Sequence, residues 1–187
     1  LDTMFSRMDN GRIRWYNVDM PETMELRRRM LESKDREQNI GKSILDFTWL
    51  DSVKKNQGEA ILFVCCDVTK YFTTKKLQAF LDAIWQRFPG AEVLFDVKNS
   101  VGRKQANLKV LTGKKKGSFI KVSIDNCTSL MYDWNIKYRV LYDRAILNKE
   151  DITDMFSDDV ARRYRHAIRR KYDKIIQLRL GTERIQF

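Results

Sequence analysis

The sequence predicts an α/β fold, an open and largely parallel sheet with helices on both faces. Three observations carry that expectation. Short β-rich or apolar runs alternate with amphipathic stretches along the 187 residues. One run, Ala60 to Cys66 (AILFVCC), is apolar throughout, as a strand covered on both faces should be. Successive strand candidates also finish at or beside an acidic residue: Asp19, Asp46, Cys66-Asp67 and Asp96. In open sheets of this kind, ligands sit beyond the carboxyl ends of the strands.

Ile13 to Val18 (IRWYNV) is rich in β-formers and runs into Asp19, which marks a strand. Pro21 suits the first turn of a helix, with Glu22 and Glu25 near its positive end. That helix is expected to reach about Ser33, with Met24, Met30 and Leu31 inward. Asn39 to Leu45 is a further strand candidate, ending at Asp46-Phe47. After Ala60–Cys66 comes the clearest helix. Thr73 or Thr74 caps it, and Leu77, Phe80, Leu81, Ile84, Trp85 and Phe88 share one stripe. Pro89-Gly90 ends it, and Glu92 to Val97 (EVLFDV) follows as a strand.

A helix over Val101 to about Val110 leads into a Lys- and Gly-rich loop, Thr112 to Gly117. Ser123 and Asp125 introduce a short helix ending near Trp134-Asn135. Tyr138 to Ile146 (YRVLYDRAI) alternates as a strand does. Asp151 to about Tyr172 reads as a long basic helix with Met155, Phe156, Val160, Tyr164 and Ile168 inward. Ile175 to Leu180 (IIQLRL) makes a last strand whose direction the pattern leaves open, an inserted antiparallel edge strand being one solution. No repeat, low-complexity tract or long linker divides the chain, so residues 1–187 are expected to form a single domain.

Composition narrows the function classes. No apolar run approaches the ~20 residues that span a bilayer, so no membrane partner is expected. The net charge of +11 raises nucleic acid, but the Lys and Arg residues fall in unconnected places: Arg27 to Arg29, Lys114 to Lys116 and Arg162 to Lys174. No RNP, KH, zinc-finger or helix-turn-helix pattern accompanies them. A solvated helix face is the favoured reading, and no specific nucleic-acid partner is expected. The cysteines number three, and the neighbours Cys65 and Cys66 are poor disulfide partners, which points to reduced thiols and a cytoplasmic protein. Both read as buried apolar side chains rather than nucleophiles. His166 is the single histidine, in a basic stretch that reads as surface; with no Cys-x-x-Cys, no metal site is expected. The early methionines Met4, Met8, Met20, Met24 and Met30 have two readings, lining of a pocket and core filler, the second being the commoner.

The acids that close strands are the candidate binding groups. A carboxylate just after a nucleotide-fold strand accepts both ribose hydroxyls, and Asp19 has that position. Asp46 is placed to accept from an adenine amino group while Phe47 covers the ring. The alternative for each aspartate is a cap on the helix or turn that follows.

The segments Leu1-Asp2-Thr3, Trp15 to Glu22 (WYNVDMPE), Phe63 to Phe72 (FVCCDVTKYF) and Phe88 to Val97 (FPGAEVLFDV) resemble the leucine carboxyl methyltransferase family. The likeness is closer to its bacterial branch related to the tetracenomycin-type polyketide O-methyltransferases. It covers nearly the whole chain, and its most specific parts are V-D-M-P-E and F-P-G-A-E-V-L-F-D. The resemblance implies a class I, Rossmann-like methyltransferase sheet, mostly parallel with an antiparallel last strand, and S-adenosylmethionine as cofactor. It also implies that a first strand and glycine-rich turn precede Leu1, so that the domain is N-terminally incomplete here. Asp19 with Met20 is then expected at the ribose, Asp46 and Phe47 at adenine, and Asp2 at the methionine end. The family pattern places a glutamate five residues before a tyrosine. Aligned on Tyr71, Cys66 takes that glutamate's place among the cofactor residues, and a thiol lacks the carboxylate's charge and acceptor capacity.

The expected activity is methyl transfer to a carboxyl or hydroxyl group of a small molecule such as a polyketide. Such a transfer needs alignment and exclusion of water more than acid–base chemistry, and Tyr71 is the candidate for orienting the acceptor. No residue is marked as a general base. Two other functions remain open: a catalytically impaired relative that binds a nucleoside ligand or a protein partner, motivated by Cys66, and a basic nucleic-acid-binding protein.

Overall fold

The computed structural model describes residues 2–32, 34–114, 116–148 and 156–181. The chain forms two compact units, Leu1–Gln57 and Gly58–Phe187.

In the first unit a short helix α1 (Met4–Met8) precedes strand β1 (Trp15–Asp19), helix α2 (Pro21–Met30) and strand β2 (Glu37–Gly41). β1 and β2 pair in parallel, with Asp19 opposite Gly41, so β1–α2–β2 is one crossover motif of the kind that builds α/β sheets. Pro21 stands at the start of α2, where its missing N–H costs nothing. Met24 is buried as expected, but Met30 is 64% exposed and the helix stops at it. The second buried position of α2 is Arg27 instead. Its guanidinium pairs with Glu37 at 2.6 Å and donates to the Asp2 carbonyl. Asn17 on β1 donates to Glu37 (2.7 Å) and Asn39 (2.9 Å) on β2, and Trp15 donates to Asn17 (2.8 Å). This buried polar network explains why β2 begins at Glu37, two residues before the run predicted as strand. It also ends at Gly41, because the chain turns there rather than continuing to Leu45.

The second unit is a four-stranded sheet in the order β3 (Leu62–Cys65), β4 (Glu92–Lys98), β6 (Asp173–Leu180), β5 (Tyr138–Ala145). β3 and β4 are parallel; β6 runs antiparallel to both β4 and β5. The last strand is therefore antiparallel, and it lies inside the sheet rather than on its edge. Phe95, Val93, Val97, Ile176, Leu178 and Leu180 alternate onto a buried face. β3 is an edge strand of this sheet, with Leu62 53% exposed, so its apolar run is not covered on both faces.

Helix α3 (Thr74–Arg87) follows its prediction closely. The Thr73 hydroxyl accepts from the Lys76 amide, and Leu77, Phe80, Leu81 and Ile84 are essentially inaccessible. Burial of each contributes on the order of 2 kcal/mol. Helix α4 (Ser100–Leu111) is capped by Asn99. Helix α5 (Cys127–Trp134) is capped by Asn126, not by Ser123 or Asp125; Asp125 accepts from the Ser100 amide at the start of α4. Helix α6 (Asp158–Arg170) begins later than predicted, and the Met155 assignment falls outside the described residues. Among the described residues no helix is long and apolar enough to cross a membrane.

Candidate functional site

The first unit offers a site at the carboxyl ends of β1 and β2. Asp19 closes β1 with an exposed carboxylate; one of its oxygens accepts from the Met20 amide at 2.7 Å. The Asp19 carbonyl accepts from the Lys42 amide at 2.9 Å, directly after β2. The ammonium of Lys42 then donates to the Thr48 hydroxyl at 2.6 Å, and that hydroxyl donates to Asp46 at 2.6 Å. Three hydrogen bonds thus link Asp19 to Asp46 through Lys42 and Thr48. The Thr48 hydroxyl, its amide and then Lys42 hold the Asp46 carboxyl below the usual aspartate range, so it is charged at neutral pH.

Asp46 also caps the 3-10 turn Phe47–Ser52, whereas the Asp19 carboxylate accepts from the neighbouring Met20 amide. The cap and the exposed carboxylate are compatible, since one oxygen serves the turn and the group stays at the surface. Met20 is exposed at the start of α2, and Phe47 is half-buried. Asp2, ahead of α1, accepts from the Met4 amide (2.9 Å), with Arg7 3.6 Å away. Gly41 eases the approach of β2 to α2. A Cβ at this position would stand 3.2 Å from the Pro21 Cα, so any larger residue would push the end of β2 from the first turn of α2 by a few tenths of an ångström. Lys42, Thr48 and Gly41 were not singled out by the sequence, although Asp46-x-Thr48 is a recognisable turn pattern.

Cys66 and Tyr71 belong to the second unit. Cys66 is exposed just past β3, whereas Cys65 is buried, its thiol pushed up to about 12 by burial. The reading of both as buried holds for Cys65 alone, because the strand ends between them. Asp67, beside Cys66, pairs with Lys70, and its backbone is left-handed, φ 59°. Tyr71 is 55% exposed, with the Lys70 ammonium over its ring at 5.0 Å. His166 is exposed on α6 and hydrogen-bonds the Tyr172 hydroxyl at 3.1 Å.

A cavity of about 180 Å³ opens at the carboxyl ends of β3 and β4, with Asp96, Thr69 and Val122 among its lining. The Asp96 carboxylate accepts from the Asp67 amide at 2.5 Å, and the Thr69 hydroxyl donates to the Asp96 carbonyl.

Solved structures share this architecture. LepI in complex with SAM matches with a TM-score of 0.56 over 95% of this chain and 39% of its own, at 7% identity. Human N-acetylserotonin methyltransferase in complex with SAM matches at 0.50, 15% identity, over 90% of this chain and 41% of its own. The chain has the class I methyltransferase fold. A DUF574 family protein from Streptomyces avermitilis shares that fold at a TM-score of 0.55, 8% identity, over 88% of this chain and 64% of its own. In sequence, the chain is 32% identical over 97 residues to the tetracenomycin polyketide synthesis O-methyltransferase TcmP of Streptomyces glaucescens. That stretch is 51% of this chain, and it spans about a third, 35%, of the relative. No protein-family model matches the chain.

Proposed function

We propose that the chain is the body of an S-adenosylmethionine-dependent O-methyltransferase acting on a carboxyl or hydroxyl group of a small, polyketide-type acceptor. The observation that carries this reading is the link from Asp19 to Asp46 at the carboxyl ends of the parallel β1–β2 pair. The donor set fits the nucleoside of the cofactor. Asp19 accepts from the ribose hydroxyls, which otherwise lose their partners on leaving water. Asp46, charged and fixed by Thr48, accepts from the adenine amino group, and Phe47 lies beside it to cover the ring. Met20 adds apolar surface at the ribose, and Asp2 serves the methionine end. When bound, the cofactor supplies an electrophilic methyl group, and the chain's task is to orient the acceptor and exclude water.

A second reading draws on Cys66. With a thiol in the place of the expected glutamate and Asp67 engaged by Lys70, the chain binds the nucleoside without turnover. Equilibrium dialysis against labelled S-adenosylhomocysteine tests what the two share. One saturable site is expected; absence of saturable uptake removes both. Label transfer from S-adenosylmethionine to a phenol or carboxylic acid then separates them, since only the first reading turns over.

A further inference from the structure

We propose that a cavity at the amino ends of β4 and β5 binds a planar aromatic carboxylate, its ring against Trp85 and its charge on Lys137. The site lies wholly in the second unit and does not depend on the methyltransferase reading.

The cavity has a volume of about 590 Å³, within the ~300–1,000 Å³ of small-molecule sites. Trp85 comes from the last turn of α3, Pro89 from the turn before β4, and Ile136 and Lys137 from the link between α5 and β5. Gly181, directly after β6, completes the lining. Its φ of 77° favours glycine, and a Cβ there would stand 2.7 Å from the Trp85 Nε1, so the backbone runs close along the indole edge. The Gly181 amide donates to the Lys137 carbonyl at 3.1 Å, which ties the end of β6 to the start of β5. Tyr138 meets the indole edge-on, with ring centroids 6.3 Å apart. The Trp85 ring is therefore held in place before any ligand arrives.

Donors collect here without acceptors. The Lys137 ammonium stands over the indole, 5.5 Å from its centroid. Among the described residues no carboxylate pairs with that ammonium, and no acceptor takes the Trp85 N–H. The neighbouring acids are already engaged. Asp82, one turn before Trp85, accepts from the Tyr138 hydroxyl at 2.5 Å, and Glu92 pairs with Arg179 at 2.6 Å. Arg139 stands opposite Arg179 in the β5–β6 ladder and has no anion among the described residues. It lies on the other face of β5 from Tyr138, so it adds positive potential at the rim rather than a wall. Ile136, 71% exposed, and Pro89 supply apolar surface beside the indole. A flat ring removes water from these apolar groups, and a carboxylate gives the ammonium a charge-assisted hydrogen bond. A neutral ring meets only the first demand, and a small inorganic anion only the second.

The test is a chemical-shift titration of the whole chain with naphthalene-2-carboxylate and with naphthalene-2-carboxamide, its neutral match in shape. Trp85→Phe assigns the indole signal among the four tryptophans. The carboxylate should shift that signal and the Gly181 amide saturably, and bind roughly tenfold more tightly than the carboxamide, the size expected for a hydrogen bond between charged groups. Lys137→Met should abolish the preference and Lys137→Arg should keep it. Lys104→Met, on the exposed side of α4, should leave it unchanged. No saturable shift at Trp85, or equal binding of the two probes, overturns the proposal. So does a preference that survives in Lys137→Met or is lost equally in Lys104→Met. Where Lys137→Met does not fold, the wild-type preference between the probes decides alone.

Discussion

The ammonium of Lys174 lies 2.9 Å from the Asp143 carboxylate although Lys174 is only 2% exposed. A bulge at Leu141 makes the pair. The β5–β6 register slips between Val140 and Tyr142, so Asp143 comes opposite Ile176 and shares the face of Lys174, Ile176 and Leu178. Lys174 also donates to the Ile124 and Asp125 carbonyls, tying the segment before α5 to the sheet.

A buried ion pair that loses one partner leaves an uncompensated charge. Lys174→Met should therefore destabilise the second unit by about 3 kcal/mol, at the low end of the range because Asp143 keeps some solvent. Lys174→Met with Asp143→Leu should recover much of that loss. Urea denaturation of the three chains measures both, and a double variant no better than the single one would contradict the account.

Gly102 gives a prediction of unusual sign. Alanine in a helix interior is ordinarily more stable than glycine by ~1 kcal/mol. Here a Cβ would strike the Tyr172 backbone carbonyl, which cannot move as a side-chain end can. Gly102→Ala should cost roughly 1–3 kcal/mol instead, read as a lowered thermal midpoint. A raised midpoint would mean that α4 does not pack on Tyr172.

Asp9 provides the pH dependence. The hydrogen bond from Arg36, then that from the Gly11 amide, lowers its carboxyl from 3.8 to about 2. Because the folded value lies below the unfolded one, the stabilisation is complete above pH 3.8 and is lost as pH falls towards 2. The denaturation midpoint of the wild type should fall across that window more steeply than that of Asp9→Asn. Parallel curves would contradict the assignment.

Thiol chemistry separates the cysteines. Cys66 is exposed, while burial lifts Cys65 and Cys127 to about 12, leaving almost no thiolate at pH 8. A disulfide reagent should modify one thiol rapidly in the native chain and three after denaturation, with Cys66→Ser abolishing the fast phase. A fast phase that survives in Cys66→Ser would misplace the end of β3.

Much of the fold was legible because its signals are local. The apolar stripe from Leu77 to Ile84 and the alternation of EVLFDV announce their elements from a few residues each. The errors fall where distant groups decide. Glu37 and Gln38 fall outside the run read as strand, and β2 starts at Glu37, where Arg27 and Asn17 complete its hydrogen bonds. Met30 looked apolar enough to face inward, but Arg27 takes the buried place by pairing with Glu37. The Leu141 bulge has no signature in YRVLYDRAI; only the partner strand reveals it. At the site, strand-ending acids drew attention to Asp19 and Asp46. The residues that join them, Lys42 and Thr48, lie just beyond a strand and within a turn, where sequence pattern carries little about side-chain direction.

The central claim is that Asp19 holds the ribose of an adenosyl ligand. Titration calorimetry of S-adenosylhomocysteine into the wild type and Asp19→Ala measures it most directly. The account predicts one site in the wild type and an affinity lower by roughly 1–3 kcal/mol in Asp19→Ala, with the fold unchanged. Equal affinity in the two chains would contradict it.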